Sequence, residues 1–313
     1  MQEEIFISGR NIPNIDPVLQ IWHFPISLYL FLGGLAAGII FFASLYTILG
    51  KEKEVPTAVK GAMVVAVVAI SVGLLALLYD LTHLLYVWRL YTTIRIESPM
   101  SWGAWVLLIV FILSVFWVFS YSTEMFPKWD WRFDFLKKFQ AYLIKNRRVI
   151  AMILLPLSVI LGIYTGILLS AFNARPLWNN PILGPLFLTS GLSTGAASII
   201  LLSKNHFEKI LFTKIDLALI VLELGLIIHM LMGMYAGSAV QIEALDILMG
   251  GEFTVMFFVF VVILGLILPA LLEGIELMGV KVASIVPALL ILMGGLMFRM
   301  VIVEAGQLTR YLY

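Results

Sequence analysis

The apolar residues of this chain are gathered into runs at 22–49, 57–85, 101–123, 148–172, 181–203, 213–236, 251–273 and 280–304. Each run supplies the roughly 20 residues that a helix needs to cross a hydrocarbon core. In lipid a lone segment satisfies its backbone only as a helix. The pattern predicts an all-α integral membrane protein, one membrane domain over 1–313 with about eight transmembrane helices.

Composition agrees. Of 313 residues, 62% are hydrophobic and 12% charged, with a mean hydropathy of +1.04, where an ordinary soluble domain carries about 25% charged residues. The start, Met1-Gln2-Glu3-Glu4, is acidic, and the first apolar run exceeds a signal-peptide core, so a cleaved leader is not expected. The sequence has no cysteine. That excludes a disulfide, a thiolate-held iron–sulfur cluster and a covalently attached c-type haem.

The near-neutral net charge says little, but the placement of positive charge says much. Lys51, Lys53, Lys60, Lys128, Arg132, Lys137, Lys138, Lys145, Arg147, Arg148, Lys204, Lys209, Lys214 and Lys281 fall at alternate loops of one face, 14 of the 20 basic residues. Arg10, Arg89, Arg95, Arg175, Arg299 and Arg310 lie on or near the other. By the positive-inside rule the first face is cytoplasmic and both termini are outside, in the periplasm of a prokaryotic inner membrane. Nucleic acid is not an expected partner.

Between the third and fourth runs, 124–147 mixes Trp129, Trp131, Phe133, Phe135, Leu136, Phe139, Tyr142 and Leu143 with lysines and arginines. Their spacing fits an amphipathic helix lying on anionic lipid at the inner leaflet. The outer loop 237–252 carries Glu243, Asp246 and Glu252 and no basic residue. An internal echo links Phe31-Leu-Gly-Gly-Leu-Ala-Ala-Gly38 with Leu188-Thr-Ser-Gly-Leu-Ser-Thr-Gly195. It points to two four-helix halves in parallel orientation, although small residues also recur simply because they let membrane helices pack closely.

Ionisable groups within or beside such runs are costly and mark function by default. Residues 80–103 concentrate them: Asp80, His83, Arg89 and Arg95 stand where two apolar segments meet water. Ser98-Pro99 reads as a helix start, and Asn173-Ala-Arg175-Pro176-Leu-Trp178-Asn179-Asn180-Pro181 as one helix ending and another beginning. Along the runs, His23, Asp80, His83, His229 and Arg299 fall in the outer third, while Tyr164 and Glu223 lie nearer mid-depth.

Four ordered stretches carry a resemblance: Asp80-Leu-Thr-His83 to Trp88-Arg89-Leu90; Ser98-Pro-Met-Ser-Trp102-Gly-Ala-Trp105; Tyr164-Thr-Gly166 to Ala174-Arg-Pro-Leu-Trp178-Asn179; and Ser190-Gly-Leu-Ser-Thr-Gly195. Together they resemble the NrfD/PsrC family, the quinone-interacting membrane subunits of polysulfide reductase-type respiratory complexes. The likeness implies an eight-helix subunit that binds menaquinone or ubiquinone near the outer surface. It implies electron exchange with a ferredoxin-like iron–sulfur subunit docked there, which serves a molybdopterin catalytic subunit. Tyr164 matches the family's site tyrosine, and Trp102 falls in a matching stretch. Where polysulfide reductase has a quinone-contacting histidine, this protein has Tyr29; His23, earlier in the sequence, is the alternative holder of that role. Leu84 stands where related sequences commonly have proline.

The residues argue the same way on chemical grounds. Quinol oxidation removes two electrons and two protons, so a site needs an apolar slot, hydrogen-bond partners for two oxygens and a proton acceptor. Tyr164, Asp80 and His83 offer such groups, with Arg175 and Arg299 as candidate frames for the pocket. Against this, Asp80 could simply pair with Arg299, and His83 could bond a headgroup. Glu223 could begin a proton path toward Asp216 and the inner face, or be a neutral hydrogen-bonded acid.

Two other classes compete. A b-haem anchor needs facing axial histidines, and with His206 in an inner loop and the other three near the outside, at most one haem could be ligated. An ion- or proton-translocating transporter fits the echo and the intramembrane acids. Yet most prolines lie near helix ends, Pro156, Pro269 and Pro287 being the exceptions.

Overall fold

In the computed structural model the described residues are 22–128 and 131–309, so the expectations resting on Met1–Glu4, Arg10, Trp129 and Arg310 fall outside them. The helices in order are α1 (Phe24–Ile48), α2 (Thr57–Asp80), α3 (Pro99–Met125), α4 (Asp134–Lys145), α5 (Arg147–Ser170), α6 (Leu183–Leu202), α7 (His206–Tyr235), α8 (Ala239–Met249), α9 (Met256–Leu277) and α10 (Ile285–Leu308). All but α4 and α8 are long and apolar enough to cross a membrane, eight spans among the described residues. The protein is an all-α, multi-pass membrane bundle.

Two spans form the centre. The apolar windows of α1 and α6 are 83% and 72% buried by protein, against 50% or less for the other six. The two helices pack along the echoed stretches, with glycines of one echo meeting the other. A Cβ on Gly195 would come within 2.8 Å of Gly38 and Ile39 backbone atoms, and one on Gly191 within 2.8 Å of the Gly34 carbonyl. Only glycine permits that approach. Around this seam the contacts repeat: α1 packs on α2 and α5 as α6 packs on α7 and α10, and α3 joins α5 as α9 joins α10. The two four-helix halves are therefore present, with the echoed segments facing each other across the join.

Several boundaries differ from the apolar runs, each for a visible reason. The second span stops at Asp80, and residues 81–98 form short turns, Leu84–Tyr86 and Arg89–Thr92, before Pro99 starts α3. Ser98 is extended ahead of Pro99 but its hydroxyl caps nothing; Ser101 Oγ accepts from the Arg95 amide at 3.0 Å instead, tying the turn to the helix start. The sixth run begins at His206 because Asn205 caps it, accepting from the Phe207 amide at 3.0 Å. The acidic outer loop contains a helix, α8, opened by a Ser238–Gln241 capping box. Over Met256–Ile267 the seventh span is wound with wide, π-type turns, and Gly265 there meets Gly294 of α10.

On the lysine-rich face, α4 docks through Gln140, whose amide nitrogen donates to Ser122 Oγ at 3.1 Å and Thr123 Oγ1 at 3.0 Å. Phe133, Phe135, Tyr142 and Ile144 stay exposed. Beside it Glu124 bridges Lys60 at 2.8 Å and Arg147 at 2.7 Å, and the Arg147 guanidinium lies 3.5 Å from the Tyr121 ring centroid.

Candidate functional site

Tyr164, on α5, is buried with 4% of its surface exposed, and Tyr29, on α1, with 7%. Their phenols lie close enough to each other to interact, and Tyr91 of the 81–98 segment lies close enough to Tyr29 to do the same. The indole of Trp102 packs edge-on against Tyr164 at 5.8 Å. Gly103 makes room for that ring, because a Cβ there would occupy the place of the Tyr164 ring atoms. Gly73 of α2 lies against Tyr29 in the same way, though less tightly. Four spans of the first half thus converge on one pair of hydroxyls in an aromatic, largely dry setting.

Above it the 81–98 segment forms a groove of about 470 Å³, mostly apolar, to which His83, Arg89 and Arg95 contribute polar and charged groups. Its floor is Ser98, Met100 and Ser101, the residues just before Trp102. Arg89 lies over the Tyr86 ring at 4.6 Å, with His83 edge-on to the same ring. His83 is exposed and Asp80 half-buried at the end of α2.

A second polar centre lies in the other half. Arg299 is 1% exposed; its guanidinium donates to Ser190 Oγ and, at 3.0 Å, to the Phe187 carbonyl, and its charge faces Glu223. Ser193 Oγ donates to Asp216 Oδ1 at 2.6 Å, and Asp216 lies against Glu273 of α9. Arg299 is therefore held on α6 through Ser190 and Phe187, and makes no ion pair with Asp80 among the described residues. Counted along their own runs Arg299 is shallow and Glu223 deep, but α6, which packs on both α7 and α10, lies between them.

The structure separates the remaining candidates from the tyrosines. Arg175 Nη1 donates to the carbonyls of Gln307 at 2.6 Å and Thr309 at 2.8 Å, so this guanidinium clasps the end of α10. Trp22 and Gln307 exchange two hydrogen bonds, 2.8 and 2.7 Å, while Trp22 stacks on Trp178 at 5.1 Å. His23 sits next to that clasp, facing a small cavity of about 290 Å³ shared with Glu252 and Glu304. It does not take Tyr29's place. Sequence reasoning passed over Tyr91, Gly103, Ser190, Ser193 and Glu273 as interacting groups. Of these Glu273 had a signal, an acid at the last position of the seventh apolar run.

The bundle and its buried polar centres define a multi-pass integral membrane protein of the bacterial inner membrane. Comparison with known proteins names the class. Residues 13–310 match the family model described as "Polysulphide reductase, NrfD". The sequence is 33% identical to Protein NrfD of Escherichia coli (strain K12) over 310 residues, covering 92% of this protein and 96% of that one. It is 32% identical to the C subunit of polysulfide reductase from Wolinella succinogenes over 304 residues, 92% and 94% of the two sequences. It is 29% identical to the NrfD homolog of Haemophilus influenzae over 305 residues, 92% and 95%. The protein belongs to the NrfD/polysulfide reductase C family, and so to the membrane subunits of redox complexes.

Proposed function

We propose that this subunit binds a membrane quinone, menaquinone or ubiquinone, and exchanges its electrons with an iron–sulfur subunit docked on the face opposite the lysines. That subunit in turn serves a molybdopterin-type catalytic subunit. The observation that carries the reading is the buried pair of neighbouring phenols, Tyr29 and Tyr164, walled by Trp102 and approached by Tyr91 of the 81–98 segment.

A quinone head needs a flat apolar slot and a hydroxyl at its oxygen. The aromatic walls supply the first and the phenols the second. In the quinol-oxidising direction two O–H bonds break, two electrons leave for the partner's metal centre, and two protons need acceptors. A phenol with an ordinary pKa of about 10 already carries its proton at neutral pH, so Tyr29 and Tyr164 orient the substrate and can pass a proton on only as they gain another. Asp80 and His83, a carboxyl and an imidazole that stand toward water, take them outward. Trp102 excludes water from the head.

The charge distribution supports the same orientation, with the lysine-rich loops in the cytoplasm and the site toward the periplasm. Isolation of the native complex tests the assignment: an iron–sulfur subunit and quinone should copurify, and quinol should reduce that subunit's clusters only when this protein is present. Purification of the protein alone with b-haem, or substrate uptake by it alone in liposomes, would refute it.

A further inference from the structure

The lysine-rich end of the bundle carries a surface that the tyrosine site does not use. On α3, Ile112, Val115, Phe116 and Phe119 follow one another at helical spacing and form one stripe. Ile112 and Val115 are exposed, Phe116 and Phe119 half-buried. The stripe does not end with the span. Phe139 of α4 meets Phe116 edge-on at 5.5 Å and Phe119 at 5.8 Å, and the exposed ring of Phe135 stacks on Phe139 at 6.3 Å. An apolar column therefore runs without a break from the membrane-crossing part of α3 onto α4.

Cations stand where the column ends. Phe135, Lys138 and Tyr142 lie on one exposed face of α4, three and four residues apart, and Lys145 continues that face a turn further on. Lys60 and Arg147 are answered by Glu124, and Lys51 by Glu54, whereas Lys138 and Lys145 make no ion pair among the described residues. Gln140 and Leu143 hold the other side of α4 against the bundle, so the aromatic and basic face stays turned outward.

We infer that this column binds one anionic phospholipid of the leaflet on the lysine-rich face. Its acyl chains lie along the Ile112–Phe119 stripe and its phosphate at Lys138, with Tyr142 and Lys145 lining the headgroup. That narrows the lipid contact expected of 124–147 from composition to one bounded site. A soluble anion would satisfy the lysines but has no use for the column. A soluble protein segment over the lysines would leave the stripe on α3 uncovered. A phospholipid joins phosphate to hydrocarbon in the order in which the surface presents cation and apolar groove. Ile112 to Phe119 spans about 10 Å at 1.5 Å per residue, within the roughly 15 Å of hydrocarbon in one leaflet. Helix α4, at 12 residues, is too short to cross and lies at the boundary, where aromatic and basic side chains are favoured. The lysines also select among lipids, because a zwitterionic headgroup brings its own cation to the phosphate and an anionic one does not. A lysine near an anionic surface is worth about fivefold in binding, so two give a preference of about tenfold or more.

Photolabelling of the native complex tests the site. The complex is placed in phosphatidylcholine vesicles that contain a little phosphatidylglycerol with a photoreactive acyl chain, and the labelled residues are located by peptide mass spectrometry. A phosphatidylcholine probe with the same chain serves as reference. The phosphatidylglycerol probe should label the Ile112–Phe119 stripe about tenfold more than the reference, and added salt should shrink that preference. Lys138 and Lys145 are exposed, so Lys138→Gln with Lys145→Gln should leave the fold intact and bring the two probes within about twofold of each other. Lys214→Gln, exposed on α7 in the other half, should leave the preference unchanged. Equal labelling by the two probes, a preference that survives the double substitution, displacement by glycerol phosphate beyond that by chloride of equal ionic strength, or a protein cross-link covering α4 in place of lipid each overturns the inference. No quinone enters the readout, so the site stands or falls independently of the tyrosines.

Discussion

The phenol of Tyr29 on α1 lies beside the phenol of Tyr164 on α5 at a point where both side chains are buried. A hydroxyl that serves only packing can be lost at the cost of one hydrogen bond, about 1 kcal/mol of stability. A hydroxyl that also holds a quinone oxygen is lost from turnover as well. Tyr164→Phe and Tyr29→Phe should each lower quinol-dependent turnover of the complex by roughly tenfold. The double variant should be little worse than either single one, since neighbouring groups that serve one substrate oxygen are coupled. Steady-state kinetics with quinol checks this, and full additivity would show that the tyrosines act separately.

In the proposed mechanism Asp80 and His83 take the quinol's protons and do not grip its head. Asp80→Asn should therefore reduce turnover with quinol while leaving activity with an artificial soluble donor intact. The KM for quinol should change less than kcat, because proton acceptance and not binding is removed. Equal loss with both donors would assign Asp80 to assembly with the partner.

How much of this could be read from the sequence follows from what each feature depends on. The eight spans were legible because lipid demands long apolar helices. The seam was half legible: the echo of Gly34 and Gly38 in Gly191 and Gly195 was visible, but not that the echoes touch. Arg299 misled, because depth counted along one helix ignores where its neighbours lie, and the groups it bonds, Ser190 and Phe187, are 109 and 112 residues away in sequence. Arg175 misled because a guanidinium fits a carbonyl of a quinone and a carbonyl of the backbone equally well. The structure shows the second.

The buried Arg299–Glu223 pair makes a prediction about stability. Removing one member strands the other charge away from water, which costs about 3–5 kcal/mol. Arg299→Met should sharply lower the thermal unfolding temperature of the detergent-solubilised protein. Arg299→Met combined with Glu223→Leu should recover much of that loss, because nothing charged is then left unpaired. If the double variant is as unstable as the single, the arginine matters through its bonds to Ser190 and Phe187 instead.

The join between the halves can be tested with a single methyl group. Gly33 and Gly38 lie on the same helix, yet a Cβ at Gly33 meets no atom within 4 Å, whereas one at Gly38 would come within 2.9 Å of the Gly191 carbonyl carbon. That neighbour is backbone and cannot rotate aside, so α1 and α6 must separate to admit it. Overpacking of this kind costs about 1–3 kcal/mol, while alanine at an open helical position gains up to about 1 kcal/mol from propensity. Gly38→Ala should thus lower the unfolding temperature and Gly33→Ala leave it unchanged or raise it. Because the seam carries Gly34 beside Arg299 and α1 carries Tyr29, Gly38→Ala should also depress quinol-dependent turnover in the assembled complex. Equal stability of the two variants would mean that the halves are not held together along these glycines.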